Sequence, residues 1–367
     1  MNMERADAKT DAAKRRWNDW RWQLQHRIRS LDDPFFTSRN FQPTAAICAA
    51  SEPFPLAITP YYAALIARCD DADPIFRMCV PSAGELFQPA FLKNDPLQED
   101  SHMPVPGLIH RYPDRALLLA TAACGTHCRH CNRKRLTGQT ESPMTRAHLL
   151  RAVNYLSAHP DIRDVIISGG DPFTMRTETL ENVMQAVRSV KSVDVIRIGT
   201  RTPVVLPMRM TDDLLDMLRR YHPIYVNTHF NHPVELTPQA EEACSRLADA
   251  GIPIGNQTVL LRGVNDEADT LMRLFRGLLR IRVKPYYLFQ CDLVRGVEHF
   301  RTPLRRGIDI MAALRGNLSG LAMPTFVVDA PEGGGKIPLL PDAVVHRDEN
   351  RTWLRNSSGK VVAYPEP

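Results

Sequence analysis

Cys124-Gly125-Thr126-His127-Cys128-Arg129-His130-Cys131 follows directly on the apolar run 117–123. A run of strand length that ends in a loop with cysteines spaced C-x3-C-x2-C sets three thiols on one short stretch of backbone. Three thiolates can hold three irons of a [4Fe–4S] cluster and leave the fourth open, whereas most electron-transfer clusters take four cysteines. An open iron calls for a small molecule that receives an electron. The other reading is a structural zinc knuckle. Zinc takes four ligands in a closed tetrahedron, and His127 or His130 could supply the fourth. Thiolates serve both metals, so the choice rests on the rest of the chain.

The cysteine spacing resembles that of the radical S-adenosylmethionine (SAM) superfamily. The resemblance implies that the amino and carboxylate groups of SAM chelate the open iron. Outward from the cysteines, the texture fits that likeness. From Arg115 onward, strand-like apolar runs at 116–121, 165–168, 195–199, 224–227, 252–259 and 284–289 alternate with helical patterns at 145–158, 177–190, 211–221, 238–250 and 266–279. Such repetition predicts parallel strands joined by right-handed crossovers. Six units are too few to close an eightfold barrel, so an α/β fold with an open, TIM-like (β/α)6 partial barrel is expected, the usual core of that superfamily. Ligands of such sheets lie at the carboxyl ends of the strands.

Three regions are expected: a helical, loop-rich segment over 1–109, the barrel core over 110–320, and a short C-terminal extension over 321–367. Residues 1–12 read as disordered. Trp17, Trp20, Leu24 and Ile28 fall on one face of a helix over about 13–30. Helical patterns are also read at 60–69 and 307–318, a short apolar segment at 74–80, a proline-rich linker over 95–113 and a strand at 325–328. The segment from Asp342 onward reads as a polar tail.

At 367 residues and 44% hydrophobic content, the chain can bury a large core. Its net charge of +5 is too diffuse for a nucleic-acid footprint. Arg133-Lys134-Arg135 adjoins the cysteines and reads as serving an anionic ligand. Eight cysteines in a chain this long are not a disulfide scaffold. No apolar run approaches the ~18 residues of a membrane span, and residues 1–16 lack the apolar core of a secretory signal. A reducing cytoplasm is the expected setting.

Two glycine-rich stretches stand out. Ser168-Gly169-Gly170-Asp171-Pro172 ends the second strand, and its glycines bare backbone groups to which a ligand's ammonium and carboxylate could bond. A tight strand-to-helix turn is the plain alternative. Downstream of these cysteines the stretch resembles the turn that holds the SAM amino group, with Asn227 and His229 as further SAM contacts or ordinary strand-end residues. Gly333-Gly334-Gly335-Lys336 lets backbone approach a bulky ligand and aims one lysine. A phosphate loop would continue into a helix after Lys-Ser or Lys-Thr, but Ile337-Pro338 follow. A lysine forming a Schiff base with pyridoxal phosphate (PLP) is preferred, against a solvated loop.

Together, the cysteines, the glycine turn and this lysine loop resemble the lysine 2,3-aminomutase family of SAM- and PLP-dependent enzymes. The likeness runs from Trp17 to about Leu340 through 110–115, 124–135, 168–172, 256–266, 290–293, 298–303 and 326–336. It implies that Cys124, Cys128 and Cys131 hold the cluster, and that Ser168, Gly169, Gly170, Asp171, Asn227 and His229 meet SAM. Lys336 is implied as the lysine attached to PLP, Arg111 and Arg115 as partners of its phosphate, and Gln257 as a neighbour. Guanidinium groups suit phosphate because they bind it bidentately.

The likeness further implies Arg133 as the partner of the substrate α-carboxylate, and Asp292 and Asp329 as the pair that holds a distal ammonium. Two carboxylates in one cavity raise each other's pKa unless a cation sits between them. The pair therefore selects a basic amino acid: lysine first, arginine second. A lysine aminomutase that modifies a translation factor is a further alternative, and a non-catalytic zinc module is of another class. An external electron donor of flavodoxin or ferredoxin type is implied, with no nucleic-acid or membrane partner.

Three departures from the family pattern are visible. No cysteine follows Cys291, and Glu267 follows Asp266, so the family's zinc segment and its tetramer are not expected; a homodimer is. Glu332 replaces a glycine of the lysine loop, and Phe289 stands where a hydroxylated aromatic is common.

Overall fold

The computed structural model describes residues 13–137, 143–331, 333–348, 350–356 and 358–365; residues 1–12 and Glu332 lie outside the described residues. Among these, the chain builds a nine-stranded sheet in the order β1 to β9 and a separate three-stranded sheet of β10, β11 and β12. The nine strands are β1 (Leu108–Tyr112), β2 (Arg115–Thr121), β3 (Asp164–Gly169), β4 (Val195–Gly199), β5 (Ile224–Thr228), β6 (Ile254–Leu260), β7 (Val283–Gln290), β8 (Thr325–Ala330) and β9 (Gly335–Pro338). From β2 to β8 every neighbouring pair is parallel, whereas β1 and β9 pair antiparallel with β2 and β8. Helices Arg146–Ala158, Thr177–Arg188, Asp212–Arg219, Pro238–Asp249, Ala268–Arg280 and Leu304–Leu314 fill the crossovers. The six βα units of an open barrel are therefore present, extended at both edges.

Strand alternation divides inside from outside. Ala116, Leu118 and Ala120 of β2, Val165 and Ile167 of β3, and Ile196 and Ile198 of β4 are buried in the core. The helix Ala268–Arg280 offers that core Leu271, Leu274, Phe275 and Leu278 at helical spacing. Burial of each such side chain contributes about 1.5–3 kcal/mol. Alternate positions face the concave side of the sheet, where a built Cβ on Gly199 would lie 3.1 Å from Ser168 Oγ and one on Gly255 3.0 Å from Asn227 Oδ1.

The first and last edges of the sheet approach each other. The backbone N–H of Lys336 in β9 donates to the Tyr112 hydroxyl of β1 at 3.1 Å. Arg111 Nη1 of β1 lies 4.0 Å from Asp329 Oδ1 of β8. The curled sheet thus brings Lys336 to a seam.

The structure departs from the sequence reading in several places. The proline-rich stretch 95–113 contains β1, because Pro104 and Pro106 precede the strand and Pro113 falls in the tight link to β2. Beyond the expected boundary at 320/321, β8 and β9 pair into the barrel sheet. The polar tail folds into β10 (Val344–Arg347), β11 (Arg351–Arg355) and β12 (Val361–Pro365), whose side chains are mostly exposed. The long N-terminal helix contracts to a short stretch over 13–17 and Trp20–Gln25, the latter capped by Asp19. Trp20 is buried, while Ile28 instead bridges Ile58. The helix expected over 60–69 is Pro60–Ala63. In this region Asp33, Thr59 and Asp73 each cap the start of a short helix that opens on proline.

Candidate active site

The cysteine loop leaves the carboxyl end of β2 and is pinned to the N-terminal region. Arg129, between the second and third cysteines, is wholly buried. Its guanidinium bonds both Glu85 oxygens at 2.8 and 2.7 Å and the Phe54 carbonyl at 2.7 Å. His127 turns away from the thiols: Nδ1 lies 2.8 Å from the Pro55 carbonyl and the ring stacks on Phe54. His130 packs edge-on against Phe300. Among the described residues, no three His, Cys, Asp or Glu side chains converge as a single-ion site. Cys128 Sγ accepts from Arg201 Nη1 at 2.8 Å, and Cys131 Sγ from the Arg133 N–H at 3.3 Å.

The glycine turn after β3 packs directly on the entrance to that loop. Gly169 has a φ of 114°, in the left-handed region that favours glycine. A Cβ there would stand 2.4 Å from the Thr121 carbonyl oxygen, and one on Gly170 2.3 Å from that of Ala123. Both contacts are too close for any side chain. The Asp171 carboxylate is taken up inside the protein, accepting from Thr200 Oγ1 at 2.6 Å, Arg201 N at 2.7 Å and Phe173 N at 3.1 Å. It ties the ends of β3 and β4 together. Ser168 faces Gly199. Asn227 is buried near the end of β5, and His229 Nδ1 lies 3.1 Å from the Gln257 carbonyl. Burial, aided by Arg201, pushes His229 down to about 4, so the ring is neutral.

On the far side, β8 and β9 form a hairpin in which Asp329 pairs with Lys336. Lys336 Nζ lies 3.2 and 3.1 Å from the two Asp329 oxygens and 5.3 Å from the Phe289 ring centre. Asp292, just past β7, is pushed up to about 7 by burial and by the Asp329 carboxylate, with Asn132, Lys336 and Arg133 acting in the opposite direction. Asn132 Nδ2 donates to Asp292 Oδ2 at 2.7 Å. Asn132, next to Cys131, thus bonds Asp292, Lys336 bonds Asp329, and the Asp329 charge acts on Asp292. Arg133 reaches the same region, its Nε and Nη2 held by Glu99 at 2.9 and 2.7 Å.

The comparisons with known proteins fall in line. The family model of the radical SAM superfamily matches residues 118–275, and the model described as lysine-2,3-aminomutase matches residues 311–367. The L-lysine 2,3-aminomutase of Fusobacterium nucleatum is 48% identical over 352 residues, covering 96% of this chain and 83% of the relative. This chain belongs to the lysine 2,3-aminomutase family. The L-lysine 2,3-aminomutase of Clostridium subterminale is 47% identical, with 97% of this chain and 86% of that relative covered. The glutamate 2,3-aminomutase of Clostridioides difficile is 42% identical, with 94% and 82% covered. As a radical SAM aminomutase the protein is an isomerase that uses a [4Fe–4S] cluster, SAM and PLP.

The residues present fit these groups. Three cysteines on one loop, with a guanidinium aimed at the Cys128 sulfur and a backbone N–H at that of Cys131, suit an anionic iron–sulfur cluster. Arg111 is buried at the seam, and its Nε and Nη2 have no hydrogen-bond partner among the described residues. A buried guanidinium with two unmet donors suits a phosphate. Arg115, at the amino end of β2, lies over the Tyr112 ring at 3.9 Å and bonds Asp114. Its charge also acts on Tyr287 of β7, which burial and the neighbouring Tyr286 push up to about 12. Gln257 lies in β6 in register with Tyr287.

Residues that the structure joins to the predicted site residues, and that sequence reasoning passed over, are Asn132, Glu99, Tyr112, Arg201 and, through Arg201, Glu235. Asn132 had a signal, standing between Cys131 and Arg133. Arg201 had a weaker one, following the end of β4 by two residues. Glu99 and Glu235 had none.

Among the described residues, no helix is long and apolar enough to cross a membrane.

Proposed function

We propose that this chain is an L-lysine 2,3-aminomutase, interconverting L-lysine and β-lysine by moving the amino group between Cα and Cβ. The observation that carries the reading is that Lys336 bonds Asp329 while Asn132, in the cysteine loop, bonds Asp292, whose ionisation the Asp329 charge opposes. Two carboxylates in one enclosure favour a cation between them. Asp329 already holds an ammonium, that of Lys336.

The parts follow from position. Cys124, Cys128 and Cys131 would hold the cluster, with Ser168, the glycine turn, Asn227 and His229 on the SAM side. Arg111 and Arg115 would hold the PLP phosphate, and Lys336 would attach the cofactor. When bound, these groups supply one-electron reduction, hydrogen abstraction from an unactivated carbon and spreading of the unpaired electron. Arg133, braced by Glu99, receives the substrate α-carboxylate. Asp292 and Asp329 receive the side-chain ammonium and so fix which carbon faces the reacting groups. The walls of the curled sheet exclude water from the reacting centre. Arginine is the second substrate candidate, since its fork also fits facing carboxylates.

The enzyme would work as a homodimer in a reducing cytoplasm, with a flavodoxin- or ferredoxin-type donor. The test is to incubate the anaerobically reconstituted, reduced protein with lysine, arginine and glutamate separately and to identify the β-amino products. β-Lysine as the main product is expected; β-glutamate alone would overturn the proposal.

A further inference from the structure

Arg201 is buried, with 7% of its surface exposed, and four groups from three stretches of chain meet on its guanidinium. Nη1 donates to Cys128 Sγ at 2.8 Å. Nη2 donates to Glu235 Oε1 at 2.7 Å and to the Tyr62 hydroxyl at 2.9 Å, and Nε to the His229 carbonyl at 3.1 Å. Glu235 is itself fixed: it is wholly buried, and Oε2 accepts from Asn231 N at 2.5 Å and His232 N at 2.9 Å. The Arg201 backbone N–H is held by Asp171 at 2.7 Å. Backbone and side chain are thus both anchored, and the cation is kept against one cysteine sulfur.

We propose that Arg201 is a positioning residue that raises the reduction potential of the cluster by donating a charged hydrogen bond to Cys128. The inference rests on the reading of Cys124, Cys128 and Cys131 as cluster ligands. Reduction adds one electron, supplied by the external donor, to a group that already carries thiolate charge. A fixed cation in a water-poor interior stabilises the more negative state more than the less negative one. Glu235 offsets part of that charge and holds the fork in place. Lysine cannot substitute fully, because one ammonium cannot reproduce a planar fork that bonds sulfur, carboxylate, phenol and carbonyl together.

The test uses full-length wild type, Arg201→Gln and Arg201→Lys, reconstituted anaerobically. Iron and sulfide are assayed first, and the midpoint potential is then read by EPR-monitored redox titration. Both variants should bind iron as wild type does, with the midpoint moved to more negative potential, further in R201Q than in R201K. Iron-loaded variants with the wild-type midpoint would overturn the proposal. Failure of both variants to load iron would also overturn it, by leaving Arg201 a purely architectural part. If R201Q alone fails to load, R201K decides: a negative shift supports the proposal and an unchanged midpoint overturns it. Wild type that takes up no iron would instead sink the cluster reading itself.

Discussion

Asp292 sits where burial and the Asp329 carboxylate both resist its ionisation, and its pKa is pushed up to about 7. An aspartate in the unfolded chain titrates near about 3.9. Between those values the folded protein keeps a proton that the unfolded chain has lost, so this group lowers stability as pH rises through that window. A ligand ammonium reverses the balance by favouring the charged carboxylate. Lysine binding should therefore tighten as pH rises through about 7 and release a proton below it. Calorimetry in buffers of different ionisation enthalpy reads this, and Asp292→Asn should abolish the proton release; release that persists in the variant would count against Asp292. Asp329→Asn should raise KM for lysine about 10- to 100-fold, the worth of one charged hydrogen bond. Lys336→Ala should leave no PLP fixed to the chain after borohydride reduction; cofactor still trapped elsewhere would remove the role given to this lysine.

The glycine turn after β3 shows an element doing two jobs. Its glycines are demanded by the protein's own backbone, since side chains there would strike the Thr121 and Ala123 carbonyls. Gly170→Ala should force the turn off the cysteine loop, costing about 1–3 kcal/mol and lowering iron uptake; thermal unfolding with an iron assay checks both. Unchanged iron content would mean that the loop does not depend on this contact. The parallel strands were legible because most are mainly apolar runs ending in polar or glycine residues, as at 165–170, even where a polar residue such as Arg197 interrupts them. β1 was not, because prolines flank it on both sides. Nor were β10 to β12, which carry too little apolar alternation to signal a buried face. The cysteines and Lys336 were conspicuous by spacing and by their glycines. Arg129 and Arg201 were not, because a buried arginine looks like a surface one until its partners, Glu85 and Glu235, are placed by the fold.

At the scale of the molecule, the N-terminal region acts as a clamp. Arg129 and Glu85 form a buried pair that ties the cysteine loop to it, and Lys134 Nζ lies 3.5 Å from the same carboxylate. Glu85→Ala would leave two cations buried without their counter-charge. The expected loss is about 3–5 kcal/mol, read by denaturant unfolding, with weakened cluster retention; a loss below about 1 kcal/mol would assign the clamp elsewhere. At the opposite edge, the seam between β1 and β9 sets Lys336 beside Tyr112 and Asp329, so closure of the sheet and placement of the lysine are one event. On the proposed function, the cysteine cage and the lysine open on one enclosure. Anomalous diffraction from crystals of the anaerobically reconstituted, PLP-loaded protein tests this most directly. Iron on Cys124, Cys128 and Cys131, with cofactor density joined to Lys336 Nζ inside the same cavity, is the predicted result. A zinc edge at the cysteines, or Lys336 turned to solvent with the cofactor bound elsewhere, would contradict it.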